Sequence, residues 1–227
     1  MNVDHSLTYT KLKLKNLPHR LRLKRILKEL AAIGLDGKTF VDVGCSNGYI
    51  TNMVRVALQP AHTVGYDADA EQIRTAQKSY PGILFKQLDL TVPSATNCTY
   101  DIVGCFETLE HVVNLESSLD NLLRMVTRNG VVFVTVPIEI GPLGIIKYLA
   151  KVALYRYDLD ELGVNRWTYF KHLVVDGRVS IFRNKTEGMY GTHFGFDYRK
   201  IDEYFSNRAR DYRSYNYITT RFYLVRG

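Results

Sequence analysis

The sequence predicts an α/β fold of the doubly wound class, built on a mostly parallel sheet. Three observations predict it. Short β-prone apolar runs alternate with helical-period segments from Lys38 to Val136, an order that gives parallel strands with helices on both faces. The first run ends in a tight group of small residues, within "FVDVGCSNGYI" from Phe40 to Ile50, where a strand must turn at once into a helix. Two further β-prone runs, Tyr212 to Ile218 and Arg221 to Val225, have only Thr219 and Thr220 between them, the pattern of a terminal antiparallel hairpin.

Taken in order, a first helix opens at Pro18 and runs to about Ile33, with Gly34 as its stop signal. Leu23, Ile26, Leu27, Leu30 and Ile33 recur at helical spacing along it. Lys38 to Gly44 reads as a buried strand, and Gly48 to Leu58 as the helix that follows. His62–Tyr66, Ile83–Leu88, Tyr100–Phe106 and Val131–Val136 are the next strands; Ala68–Ser79 and Leu115–Val126 are the helices among them. The rhythm then stops. Residues 138–192 form an insertion after the fifth strand, whose first part, GPLGIIKYLAKVALYRY, is apolar and helical in character. Its later part, HLVVDGRVSIF, carries Asp176-Gly177 between β-prone runs, a hairpin signal. A helix from Asp197 to Phe205, capped by Asp197, precedes the terminal strands. The chain divides into a basic tail and helix at 1–37, able to act as a cap, and a domain at 38–227 that includes the 138–192 insertion.

Composition narrows the function classes. An apolar fraction of 46% and a charged fraction of 23% suit a globular chain with a core of its own. No stretch approaches the roughly 18 to 20 apolar residues needed to span a bilayer, and the first residues lack a secretory pattern. Cys45, Cys98 and Cys105 are too few and too irregular for a disulfide framework or a zinc cluster, and no metal ligand set is read. The expected setting is cytoplasmic, with reduced thiols. Lys11, Lys13, Lys15, Arg20, Arg22, Lys24, Arg25 and Lys28 occur with no acidic residue among them. Such a segment attracts phosphates in nucleic acid or at a membrane surface, although a solvated helix face is the simpler reading.

The small-residue loop points to a nucleoside-containing cofactor. Gly44 permits the sharp turn after the strand, and Gly48 lets the helix start approach a ligand closely. Asp67, at the end of the next strand in "VGYDAD", is spaced to meet ribose hydroxyls. The dinucleotide pattern Gly-x-Gly-x-x-Gly is not met, because Cys45-Ser46-Asn47 stands in its place. Asp42 lies inside the motif, as Asp-x-Gly-x-Ser-x-Gly. A carboxylate there repels a pyrophosphate but attracts an ammonium and a sulfonium. The charge favours S-adenosylmethionine, with S-adenosylhomocysteine as product.

The string "FVDVGCSNGYI" resembles motif I of the class I S-adenosylmethionine-dependent methyltransferases. The similarity continues in order through "VGYDAD", "FKQLDL", "YDIVGCFETLEHV", "LLRMVTRNGVVFVTVP" and "HFGFD". The resemblance implies a Rossmann-like seven-stranded sheet with its last strand antiparallel. It also implies a cofactor loop of Asp42, Gly44, Cys45, Ser46 and Gly48, in which Ser46 stands where the family usually has glycine. Gly44 and Gly48 line the methionine portion, Asp67 binds the ribose and Ala68 lies near the adenine. Asp89 meets the adenine amino group, Leu90 offers backbone contacts, and Phe106 borders the methyl-transfer channel. Cys45 and Cys105 read as small buried residues, inert as nucleophiles.

A hydroxyl acceptor gains from a general base, and His111, His193 and His172 are the candidates. Glu110-His111 can equally flank a helix start without chemistry. "CFETLEH" lacks the Asn/Asp-Pro-Pro-Tyr/Phe signature of enzymes that methylate base amines, and no Pro-Cys pair supplies a cytosine-C5 thiol. "FETLEHV" is similar to the branch acting on small molecules. Ile145, Ile146, Leu149, Val152 and Leu154, beside Tyr148, Tyr155 and Tyr157, equip the insertion as a lid over an apolar acceptor, a membrane contact, or a packing or homodimer face. The expected function is methyl transfer to a small molecule, on oxygen of an apolar, sugar-like or lipid-like compound. The alternatives are a methyltransferase on RNA or protein, and a non-catalytic cofactor-binding module.

Overall fold

The computed structural model describes Tyr9 and residues 16–155, 163–175, 177–183, 185–186, 189–190 and 193–227. Helix α1 (Leu17–Ile33) precedes β1 (Thr39–Val43), α2 (Tyr49–Leu58), β2 (His62–Asp67), α3 (Ala70–Ser79), β3 (Leu84–Gln87), β4 (Tyr100–Phe106), α4 (Leu115–Met125) and β5 (Val126–Pro137). The insertion then supplies α5 (Gly141–Tyr155), α6 (Arg166–Val175), a 3-10 turn at Val179–Phe182 and a two-residue strand pair, β6 (Lys185–Thr186) with β7 (Met189–Tyr190). Helix α7 (Arg199–Arg208) and the hairpin β8 (Tyr212–Tyr217) and β9 (Thr220–Arg226) complete the chain.

Seven strands form one sheet in the order β3-β2-β1-β4-β5-β9-β8. Strands β1 to β5 are parallel; β9 runs antiparallel to both β5 and β8. The chain leaves β1 for β2 on one side and returns to β4 on the other, so the carboxyl end of β1 is the topological switch point where such sheets bind ligands. Side chains alternate along each strand. Phe40, Ile102, Phe133 and Phe222 face α1 and α2, meeting Ile26, Leu30 and Val54. Their neighbours Val41, Val103, Val132 and Tyr223 face α4 and α7, meeting Leu119, Leu122, Ile201 and Phe205. The sheet is thus buried on both faces.

Several details depart from the sequence reading. The hairpin expected around Asp176-Gly177 is absent among the described residues: the runs on either side are α6 and the 3-10 turn, and Asp176 itself lies outside them. Tyr169 and Leu173, four apart, are buried with Tyr148, Val179 and Phe194, so packing overrides the local β preference. Strand β5 starts at Val126 rather than Val131; a register shift opposite Tyr100 and Ile102 accommodates the extra residues. Helix α7 has Tyr198 at its cap position, while Asp197 Oδ1 accepts from the Arg199 N–H at 3.0 Å. In the basic segment, Arg22 pairs with Glu107 and Arg25 with Glu29, so part of its charge is absorbed by the fold. Lys11, Lys13, Lys15 and Tyr157 lie outside the described residues. Among the described residues no helix is long and apolar enough to cross a membrane.

Candidate active site

The turn after β1 is held by strand β2. The N–H groups of Gly44 and Cys45 both donate to the Tyr66 carbonyl, at 2.7 and 2.9 Å. Gly44 and Gly48 have φ of 80° and 76°, the left-handed region that glycine enters at little cost. A Cβ on Gly44 would lie 2.1 Å from Thr108 Oγ1, and one on Gly48 2.6 Å from the Phe85 ring. Both glycines therefore answer to close packing within the protein. Ser46, where the family usually has glycine, also adopts a left-handed φ of 49°.

Asp67 ends β2 beside this turn. Its Oδ2 accepts from the Ser46 N–H at 2.8 Å and its Oδ1 from the Asp69 N–H at 2.9 Å. Two main-chain donors fix the carboxylate, which stays partly exposed. Asp42 lies beneath, buried, and accepts from Thr51 Oγ1 of α2 at 2.7 Å. Burial, against that hydrogen bond, pushes Asp42 up to about 7. A nearby cation favours its ionised form. An oriented carboxylate, a buried acid awaiting positive charge and a helix start at the switch point fit a nucleoside with a cationic tail.

The other predicted cofactor residues are placed less simply. Ala68 is exposed, and its carbonyl accepts from Gln87 Nε2. Asp89 is exposed and closes its own turn by accepting from the Thr91 N–H and Oγ1. Leu90 is buried, with its carbonyl held by Asn121. The Phe106 ring turns into the core against Phe133, 5.3 Å between centroids. Cys45 packs with Ile73, Ala76 and Phe85. Burial pushes the thiols of Cys45 and Cys105 up, away from thiolate chemistry.

Beyond β4, a second group of polar residues gathers against the first. Glu107 adopts φ of 55°, and its N–H donates to the Thr135 carbonyl. Because Thr108 packs on Gly44, the segment 107–111 borders the cofactor turn directly. Arg22 of α1 donates to Glu107 Oε2 at 2.6 Å. Glu110 is completely buried, and His193 Nδ1 stands 3.3 Å from its Oε1. The rings of His111 and His193 meet at 4.8 Å. Burial pushes Glu107 up, despite Arg22. The imidazoles of His193 and His111 outweigh burial at Glu110 and hold it below the usual carboxylate range. His19, beside Arg22, is brought down to about 4 by burial and by the neighbouring Arg22 charge, so it is neutral near pH 7.

Of the three predicted bases, the fold brings His111 and His193 together and leaves His172 apart, its ring on Phe182 in the insertion. Arg22, Glu107 and His19 were not singled out as site residues. A basic helix and an acidic strand end give no sign in sequence that they meet. The insertion positions His193: Tyr169, stacked on Tyr148, accepts from the buried Gly195 N–H through its hydroxyl at 3.0 Å. Helix α5 is tied to the end of β5 by Lys147, which pairs with the buried Glu139 at 2.5 Å. A groove lined by Lys38, Arg128, Arg213 and Arg226 opens at the opposite edge of the sheet, away from this chemistry.

Comparison with known proteins agrees with the fold. A family described as a methyltransferase domain matches residues 15–201. The chain is 34% identical over 88 residues to the putative methyltransferase 235L of Invertebrate iridescent virus 6, covering 39% of this chain and 33% of that protein. It is 35% identical over 106 residues to the ubiquinone biosynthesis O-methyltransferase of Photobacterium profundum, covering 44% of each. The chain thus spans less than half the length of these curated relatives. Among solved structures, the magnesium protoporphyrin IX methyltransferase of Synechocystis PCC 6803 with bound SAH superposes with a TM-score of 0.63 at 15% identity, over 98% of this chain and 92% of that one. The plantazolicin methyltransferase gives 0.61 at 12% identity, over 92% and 84%. With the ordered motifs, the switch-point turn and a family match across most of its length, the chain belongs to the methyltransferase-domain family, within the class I S-adenosylmethionine-dependent methyltransferases.

Proposed function

We propose that this chain moves a methyl group to an oxygen atom of a small, largely apolar acceptor. The observation that carries this reading is the contact between Thr108 and Gly44. It sets the Glu107–His111 segment, with its carboxylates and imidazoles, directly beside the cofactor turn. Bound S-adenosylmethionine supplies a sulfonium methyl already activated for in-line displacement. Asp67 orients the ribose end, Asp42 answers the positive charge, and the Glu110, His111 and His193 group receives the acceptor's polar end. Residues 1–37 and 138–192 act as cap and lid, keeping water from the acceptor. The relatives named for ubiquinone biosynthesis O-methylation support oxygen as the target. The internal pairing of Arg22 and Arg25 weakens the RNA alternative.

The test is incubation of the purified chain with methyl-labelled S-adenosylmethionine and a panel of phenols, hydroquinones, sugars and lipids, with RNA and protein as controls. Label in an organic-extractable hydroxyl compound is expected. Label confined to RNA or protein overturns the acceptor class.

A further inference from the structure

We propose that Glu110, His111 and His193 form a divalent-cation site that binds the acceptor hydroxyl. One ligand atom from each lies within 4.8 Å of the others. Bonds of about 2.0 to 2.3 Å to a single ion put opposite ligands about 4 to 4.6 Å apart, so small side-chain adjustments close the set. Two imidazoles and one carboxylate suit a first-row ion and leave coordination positions open for acceptor and water.

A second, independent observation points the same way. Glu110 is 0% exposed, yet among the described residues neither carboxylate oxygen has a hydrogen bond, and the buried His193 Nδ1 has none either. Glu107 Oε1, next along the segment, is likewise buried without a partner there. Buried carboxylates are ordinarily hydrogen-bonded, paired or metal-bound; here His193 Nδ1, 3.3 Å from Glu110 Oε1, is the contact nearest to a pair. Both segments are braced from outside the group. Arg183 donates to the Glu110 carbonyl, and Tyr169 holds the Gly195 N–H two residues after His193. Such outer contacts characteristically orient metal ligands.

The role of the ion rests on the methyl-transfer reading; its binding does not. A bound cation lowers the pKa of a coordinated hydroxyl. The hydroxyl proton passes to water, the oxygen lone pair forms the bond to the methyl carbon, and the carbon–sulfur pair returns to sulfur. His111 and His193 then act as ligands and need not accept the proton.

The test is titration of the full chain with Mn²⁺, read by the loss of the free-ion electron paramagnetic resonance signal. S-adenosylhomocysteine binding is measured in parallel by calorimetry. One saturable site is expected, weakened at least tenfold in His193→Ala and Glu110→Gln and unchanged in His62→Ala. His193→Ala is the safer variant, because its side chain is 44% exposed. Absence of saturable Mn²⁺ and Zn²⁺ binding in a chain that binds S-adenosylhomocysteine overturns the cation site and leaves Glu110 and His193 as an ion pair. Saturable metal binding lost in these variants, without S-adenosylhomocysteine binding, upholds the site and removes the methyl-transfer reading instead.

Discussion

Arg22 and Glu107, 85 positions apart, form an ion pair of 2.6 Å that joins helix α1 to the segment after β4. Both side chains are largely buried, at 10% and 14% exposure. Removing one partner leaves the other charged and enclosed. Arg22→Met is therefore expected to cost about 3 kcal/mol, read as a lower urea midpoint. Arg22→Lys should fall between, because an ammonium lacks the guanidinium fork. An unchanged midpoint in Arg22→Met contradicts the pairing.

Asp42 predicts a pH dependence. Its folded value of about 7 lies above the ordinary 3.8, so between those values the folded chain holds a proton that the unfolded chain has released. The group's contribution to stability is full below about pH 4 and is lost as pH rises through about 7. Urea denaturation between about pH 4 and 7 should show wild type losing stability relative to Asp42→Asn as pH rises, by up to about 1.4 kcal/mol per pH unit, with the two curves parallel above that range. Parallel curves within that range contradict the shift.

The cofactor turn makes opposite demands at neighbouring positions. Gly44→Ala combines a left-handed φ with a Cβ 2.1 Å from Thr108 Oγ1, and should lose more than about 2 kcal/mol. Ser46→Gly relieves a φ of 49° and should gain about 1 kcal/mol, less what the 3.3 Å contact of Ser46 Oγ with Gln72 contributes. Thermal unfolding of the two variants checks both signs.

The insertion is tested through Tyr169. Tyr169→Phe removes the acceptor of the buried Gly195 N–H and should cost about 1 to 3 kcal/mol. If the insertion braces His193, the same variant also weakens Mn²⁺ binding; full retention of affinity in a destabilised variant separates the two roles.

The fold was legible where one physical signal dominates. Strand–helix alternation marks β1 to β5, and the small-residue turn with Asp67 marks the carboxyl end of β1, where the topology switches. Propensity failed in the insertion, where Tyr169 and Leu173 are committed to helix by burial against Tyr148. The acceptor side was only half readable. The sequence marks His111 and His193 only singly; Glu110 and His193 are brought together by a fold that joins the end of β4 to a segment beyond the insertion. Arg22 reaches Glu107 across the first half of the chain. No local pattern records such pairings.

A nucleoside cofactor is expected to bind at Asp67 and the Gly44–Gly48 turn. Calorimetric titration with S-adenosylhomocysteine, using NAD as control and Asp67→Ala as the site variant, tests it most directly. Saturable one-to-one binding of S-adenosylhomocysteine alone, weakened at least tenfold in a folded Asp67→Ala chain, is the predicted result. Equal affinity in that variant, or no binding by the folded wild type, contradicts it.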